Sequence, residues 1–299
     1  METLQALREP STPHVMGILN ITEDSFSDGG LWLDASAAAQ HGRDLVAQGA
    51  TILDIGAEST RPGAVRVDAD TERSRIVTAV RNLRGLGVPL SIDTTRASVA
   101  RAALDEGASI INDVSGGRLD SEIPRLVAQR DCLYIVQHWR QWLSGGSGGV
   151  ADSNSSTYVH GVVADVYDEL MAQVDDVLAA GVAPEKIIID PGLGFSKPGV
   201  DLNLPLMTHL ATFRASGYPV LIGASRKRFV GALLKNPSQG EHADEPTTSR
   251  KDVATAVLSA LCALSGAWAV RVHDAAMSRD ALAVAQAWKS AEPTQRDAD

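Results

Sequence analysis

Short apolar, β-branched runs recur along the chain at 15–19, 51–56, 89–92, 109–114, 133–137, 186–190, 219–223 and 269–272. Runs of this length without alternation read as strands covered on both faces, as in a parallel sheet. Between and after them lie Ala-rich stretches with helical spacing, at 34–48, 71–86, 96–106, 122–130, 158–180, 206–216, 252–266 and 277–289. Each strand candidate is thus followed by a helix candidate, eight times over. Eight such units predict an α/β fold, a single-domain (β/α)8 TIM barrel, whose usual size is roughly 250 residues. A doubly wound open sheet is the second choice and two small α/β domains the third, since no linker has the composition of a domain boundary. The barrel is expected over 14–290, with a flexible arm at 1–13 and a flexible tail at 291–299. The Ser- and Gly-rich segment from Ser144 to Thr157 is expected as a mobile loop between the fifth strand and its helix.

In a barrel of this kind, chemistry sits at the C-terminal ends of the strands and in the loops directly after them. All eight predicted ends are polar. Asn20, Thr22, Asp24 and Asp28 follow the first run, Glu58-Ser59-Thr60-Arg61-Pro62 the second, and Asp93-Thr94 the third. Asn112-Asp113 closes the fourth, His138-Trp139-Arg140 the fifth, and Asp190 to Lys197, including Phe195, the sixth. The seventh leads to Ser225-Arg226-Lys227-Arg228, and the eighth to Arg271-Val272-His273-Asp274.

These residues divide by sign. Asp93, Asn112 and Asp190 are acceptors just inside the strand ends, where a buried carboxylate needs donors. A ring presenting adjacent N–H groups, such as an aminopyrimidinone edge, would satisfy them; backbone groups or Lys227 are the structural alternative. Arg61, Lys227, Arg271 and His273 are cations suited to a phosphate site, which this fold often builds after strands 7 and 8. Two residues apart, Arg271 and His273 share one side of their strand. Arg226 and Arg228 read as partners of surface carboxylates, and His138 as a buried, hydrogen-bonded histidine. Asn20, with acids beyond it, suits an oxygen-ligated Mg²⁺ that binds through few protein oxygens and substrate phosphates.

Composition narrows the partners. With 44% hydrophobic and 21% charged residues the chain is an ordinary globular protein. Its net charge of −10 argues against a nucleic-acid binder, though not against an anionic ligand in a locally basic cleft. Cys132 and Cys262 lie in apolar surroundings without metal-ligand spacing and read as buried thiols. Without a signal peptide or long apolar span, a cytoplasmic protein with no membrane association is expected.

Taken together, Asn20–Gly30, Gly56–Gly63, Ser91–Thr94, Ile111–Gly117, Asp190–Lys197, Gly223–Lys227 and Val270–Asp274 resemble dihydropteroate synthase, in the family's order and spacing from about residue 15 to 289. The Ser225-to-Phe229 and Gln137-to-Arg140 segments are similar to actinobacterial members. The resemblance implies a transferase that condenses 6-hydroxymethyl-7,8-dihydropterin diphosphate with p-aminobenzoate, giving 7,8-dihydropteroate and diphosphate for folate biosynthesis. It implies that Asp93, Asn112, Asp190 and Lys227, with Phe195 nearby, hold the pterin. Asn20, Arg61, Arg271 and His273 would hold the diphosphate, with Mg²⁺ at Asn20. Phe26, Thr60, Pro62 and Ser225 would form the p-aminobenzoate pocket where sulfonamides compete. It also implies a homodimer, and a path of the S_N1 type. A pterin-binding methyltransferase of the same superfamily and a non-catalytic paralogue are the alternatives; the first would have no use for the cations of strands 7 and 8.

The Ser196–Leu206 segment is slightly longer than is usual in the family, and two substitutions depart from it as well. Ala57 occupies a common glycine position, tolerable if its φ is negative, and Gln137 replaces a commonly apolar residue. Neither removes a motif residue, and no Phe-Gly insertion of the kind that marks sulfonamide-insensitive relatives is present, so sulfonamide sensitivity is expected. Residues 22–30 are expected to act as a lid, with Phe26 closing over p-aminobenzoate, Asp28 reaching the reacting centre and Gly29-Gly30 as hinge.

Overall fold

A computed structural model describes residues 4–21, 35–58, 66–140, 156–235 and 245–291. Each apolar run becomes a strand. These are β1 (His14–Asn20), β2 (Ile52–Gly56), β3 (Leu90–Asp93), β4 (Ile110–Asp113), β5 (Leu133–Gln137), β6 (Ile187–Asp190), β7 (Leu221–Ile222) and β8 (Ala269–Val272). They pair in parallel in the order β6-β5-β4-β3-β2-β1-β8-β7. A bridge between Ile189 and Val220 joins β6 to β7, which closes the ring into the expected barrel.

Period-two alternation divides the strands between two cores, β3 alone giving its apolar residues only to the outer one. Met16, Ile52, Ile110, Leu133, Ile135, Ile188, Leu221 and Ala269 point inward and fill the lower barrel. The opposite parity, including Leu19, Leu53, Ile55, Ile92, Ile111, Val136 and Ile189, packs outward in the larger core shared with the helices. Burial on both faces is why the strands read as unbroken apolar runs.

The helices on the outer face are α2 (Ala35–Ala47), α3 (Ala69–Leu83), α4 (Ala97–Asp105), α5 (Glu122–Ala128), α6 (Val162–Ala179), α7 (Val200–Thr208), α8 (Leu210–Arg214), α9 (Arg228–Leu233), α10 (Thr248–Leu264) and α11 (Ala275–Ser290). Side-chain caps fix several starts: Asp68 accepts from Asp70 N and Thr71 N, each at 3.1 Å, and Asp274 from Met277 N at 2.8 Å. The helix expected to begin at 206 starts at Val200 and contains Pro205. A mid-helix proline reads as a breaker from sequence. Here fully buried Asn203 anchors the helix start, accepting from Gly194 N and donating to the carbonyls of Lys197 and Gly199, each at 2.6 Å. Ala57 is not among the described residues with positive φ, which among non-glycines are Phe195 and Arg226.

The arm expected to be loose differs from that reading over α1 (Leu4–Arg8). Leu7 is buried in the lower barrel, and its carbonyl accepts from Trp268 Nε1 at 3.0 Å. Its carbonyl also lies 2.9 Å from His14 Nε2. Arg8 donates to the carbonyls of Pro184, Glu185 and Ile187 at 2.7–3.2 Å. The short helix is therefore a stopper for the side of the barrel opposite the strand ends. Leu7→Ala should lower the unfolding free energy by about 2 kcal/mol, the low end for a buried leucine. Urea denaturation checks this, and an unchanged midpoint would show that the stopper adds nothing.

Candidate active site

Arg271 stands on the inward side of β8, above the apolar floor. Its Nε donates to Asp54 Oδ2 at 2.6 Å and its Nη2 to Asp93 Oδ2 at 2.8 Å. Asp54, fully buried in the middle of β2, also accepts from Ser91 Oγ at 2.6 Å and Asn112 Nδ2 at 3.1 Å. Burial pushes the guanidinium pKa down, but Asp54 and Asp93 outweigh it and raise it. Burial raises the Asp93 carboxyl to about 7 against the pull of Arg271, with Asp54, Glu72 and Asp113 adding to the rise. Asp93 is thus unusually ready to take a proton. Asp54 is absent from the residues picked out by sequence. It lies inside a run counted as apolar, and the available signal was parity, since it shares its inward side with Gly56 at the strand end.

A second charged group lies at the ends of β6 and β7. Asp190 accepts from Gly192 N at 2.7 Å. Burial raises its pKa, while Lys227 works in the opposite direction. Lys227 donates to the Leu193 carbonyl, and its ammonium lies 4.8 Å from the centre of the Phe195 ring. Burial pushes the ammonium down to about 8, Asp190 holding it up and Arg271 pressing it further down. The loop between these residues needs glycine at 192 and 194, with φ of 68° and 76°. A methyl on Gly192 would stand 2.6 Å from the His138 carbonyl. Phe195 and Arg226 hold φ of 48° and 57°, a left-handed conformation that costs a non-glycine residue roughly 1–2 kcal/mol and occurs here in two adjoining mouth loops.

Ser225 Oγ is 2.9 Å from His273 Nδ1 and accepts from His273 N at 3.1 Å, so these two predicted residues pair with each other. Arg226 forms a two-point ion pair with Asp252 at 2.7 and 2.8 Å, in line with its expected structural role. His138, 1% exposed, lies 3.0 Å from Glu169 Oε2 and 3.0 Å from Lys197 Nζ, also as expected. Burial, reinforced by Lys197, pushes His138 down to about 3. Lys197, missed as a charged core residue, donates to the Gly192 carbonyl at 2.8 Å and braces the same loop. Burial and Lys227 push it down to about 7.

Phe26, Asp28, Thr60, Arg61 and Pro62 lie outside the described residues, as do the expected lid over 22–30 and most of the 144–157 loop. Asn20, by contrast, sits at the tip of β1, in register with Gly56. A Cβ on Gly56 would be 3.7 Å from both Asn20 Oδ1 and Asp93 Oδ2. The missing side chain leaves a recess edged by Asn20 Oδ1, an oxygen of the kind that suits Mg²⁺, and by Asp93 Oδ2, which is held by Arg271. Among the described residues no group of three or more His, Cys, Asp or Glu is arranged to hold a metal ion.

The mouth therefore gathers acceptors and cations within one ring of strand ends. Residues 16–273 match a family model described as pterin binding enzyme. The dihydropteroate synthase of Mycobacterium leprae is 50% identical over 279 residues, 93% of this chain and 94% of that one. The chain belongs to the dihydropteroate synthase family. The enzyme is accordingly a transferase of folate biosynthesis that makes dihydropteroate. Among solved structures, dihydropteroate synthase of Xanthomonas albilineans with 4-aminobenzoic acid superposes with a TM-score of 0.81, at 36% identity over 95% of each chain. That of Yersinia pestis in complex with a sulfonamide drug gives 0.80, at 32% identity over 95% of this chain and 96% of that one.

Removing Asp54 would leave Arg271 half-partnered inside the barrel. Asp54→Ala should lower the unfolding free energy by about 3 kcal/mol, as for other broken buried pairs. Asp54→Asn should cost less, because the amide still fills the place beside Ser91. Equal wild-type stability in both would show that Asp93 alone suffices for Arg271.

Proposed function

We propose that this synthase condenses 6-hydroxymethyl-7,8-dihydropterin diphosphate with p-aminobenzoate by an S_N1-like path. One arrangement supports this above all: Arg271 lies between Asp54 and Asp93, with Lys227 coupled electrostatically to Asp190 in the same mouth. Asp93, Asn112 and Asp190 offer acceptors to the N–H edge of the pterin, and Phe195 an aromatic face beside it. Lys227 acts on the pterin beside Asp190, while Arg271, His273 and, outside the described residues, Arg61 supply charge to the departing diphosphate. Asn20 and the recess over Gly56 would hold Mg²⁺, which when bound neutralises charge on the diphosphate.

The C–O bond to diphosphate breaks first and takes its electron pair with it. The methylene cation left behind is delocalised into the pterin, and the carboxylates around it favour that charge. The aniline nitrogen of p-aminobenzoate then forms the C–N bond and releases a proton to solvent. Its nucleophilic lone pair needs no strong general base. Phe26, Thr60, Pro62 and Ser225 form the pocket for p-aminobenzoate, and sulfonamides compete there. In the same proposal Asp28, which lies outside the described residues, has a part at the reacting centre.

We infer a cytoplasmic homodimer. In support of a second copy, Val253, Val257 and Leu261 of α10 and Val284 and Trp288 of α11 expose apolar side chains on two helices packed together. No helix among the described residues is long and apolar enough to cross a membrane.

Diphosphate release from pterin diphosphate, p-aminobenzoate and Mg²⁺ tests the reaction directly. Lys227→Ala and Arg271→Ala should each lower turnover tenfold or more, whereas wild-type rates in both would sink the site as drawn. The ammonium of Lys227 is present below its pKa and lost above it. With that value pushed down to about 8, kcat/KM for pterin diphosphate should decline as pH rises through that point, and Lys227→Arg should retain more of its rate at pH 9. Identical alkaline limbs in the two proteins would assign the decline to another group.

A further inference from the structure

Gln137 ends β5 and continues its inward register. Leu133 and Ile135, on the same parity, both belong to the cluster that fills the lower barrel. Across the ladder Gln137 stands beside Asp190. Its side chain is buried, with 6% of the residue exposed. Among the described residues, buried side-chain nitrogens without a hydrogen-bond partner occur at Gln137 Nε2 and Trp139 Nε1, both at the end of β5. A buried amide N–H without an acceptor costs free energy, and native structures rarely keep one that nothing fills.

The surroundings limit what can fill it. The loop after β6 is pressed against this amide: a methyl on Gly192 would stand 3.3 Å from Gln137 Cγ and 3.5 Å from Nε2. Glycine offers no side chain to accept from it, and the Gly192 carbonyl is already taken by Lys197 at 2.8 Å. Next in register stands Asp190, one of the proposed pterin contacts. A planar heterocycle with an N–H edge for the carboxylates also carries acceptors, a ring carbonyl and unprotonated ring nitrogens. The first set needs Asp93 and Asp190; the second needs a donor.

We propose that Gln137 is a specificity-determining residue for the pterin, donating its carboxamide N–H to an acceptor of the ring and thereby fixing its orientation beside Asp190. The role rests on the pterin reading of this mouth. It adds a neutral donor beside Asn112, whose own amide N–H is given to Asp54. A carboxamide discriminates by geometry more than by charge, and a site built around a hydrogen bond rejects analogues that cannot complete it.

The full-length chain can be titrated with 6-hydroxymethylpterin by calorimetry, and steady-state rates measured with both substrates. Gln137→Met removes the donor and keeps the length. It should weaken 6-hydroxymethylpterin binding and raise KM for pterin diphosphate about three- to tenfold, the range for one neutral hydrogen bond. KM for p-aminobenzoate should stay within twofold, and thermal stability should hold or rise because an unpartnered amide has been removed. Unchanged pterin affinity in Gln137→Met overturns the proposal. So does an equal loss for both substrates with a fall in melting temperature, which would mark a structural role. Should that variant fail to fold, Gln137→Glu gives the same readout with a donor exchanged for a charge: pterin affinity equal to wild type overturns the proposal, and a selective loss supports it. A wild-type chain that binds no 6-hydroxymethylpterin overturns the synthase site itself, an outcome distinct from a binding wild type with an equally binding variant.

Discussion

A guanidinium held between two carboxylates inside a closed ring of strands organises this molecule. Arg271 comes from the last strand, Asp54 from the second and Asp93 from the third, so their meeting requires the barrel to be complete. Charges of this kind are costly to bury singly and acceptable together, because each supplies the donors or acceptors that the other lost from water. The apolar floor beneath them excludes water from below, and the parity of the strands decides which side chains stand in the upper layer. Asn112 and Ser91 complete the coordination of Asp54 with neutral hydrogen bonds. The same cluster is then both a structural keystone and the floor of the proposed reaction chamber.

Around it the loops are fixed by groups that take no direct part in the proposed chemistry. Lys197 and His138 brace the glycine-rich turn after β6, and Asn203 ties that turn to the helix that follows. On the other side of the mouth, Arg96 connects Glu58 with Glu72, and Arg66 joins Glu58 at 3.0 Å. These ion pairs couple the loops after β2 and β3. Left-handed Phe195 and Arg226 show the local cost of aiming the two loops inward.

Much of this was readable along the chain. All eight strands fall within a residue or two of the apolar runs, because burial on both faces leaves little room for polar residues in β/α barrels. The acceptors and cations at the ends were legible as a group, since eight polar ends after apolar runs define a mouth whatever the ligand. What stayed hidden depended on distance in sequence. Asp54 looked like an interruption in an apolar run, and only a partner 217 residues later makes it tenable. Leu7 looked like part of an irregular arm, and its neighbours Trp268 and His14 come together only when the ring has closed. Lys197 read as loop charge, while the fold encloses it beneath the turn it supports.

The ring is not equally thick all round. Five paired positions join β1 to β2, and four join each of β2–β3, β1–β8, β4–β5 and β5–β6. Between β6 and β7 the pairing narrows to one bridge and a hydrogen bond from Ile189 N to the Pro219 carbonyl at 2.9 Å. A hoop under tension widens where it is thinnest. Here that place lies below Asp190 on one side and Lys227 on the other, one strand removed from β8, which carries Arg271 and joins β7 at two positions. Widening there would part Asp190 from Lys227 before it parted Asp54 from Asp93, which stand on strands joined at four paired positions. One half of the mouth is a jig, and the other is the seam where its pairing is thinnest.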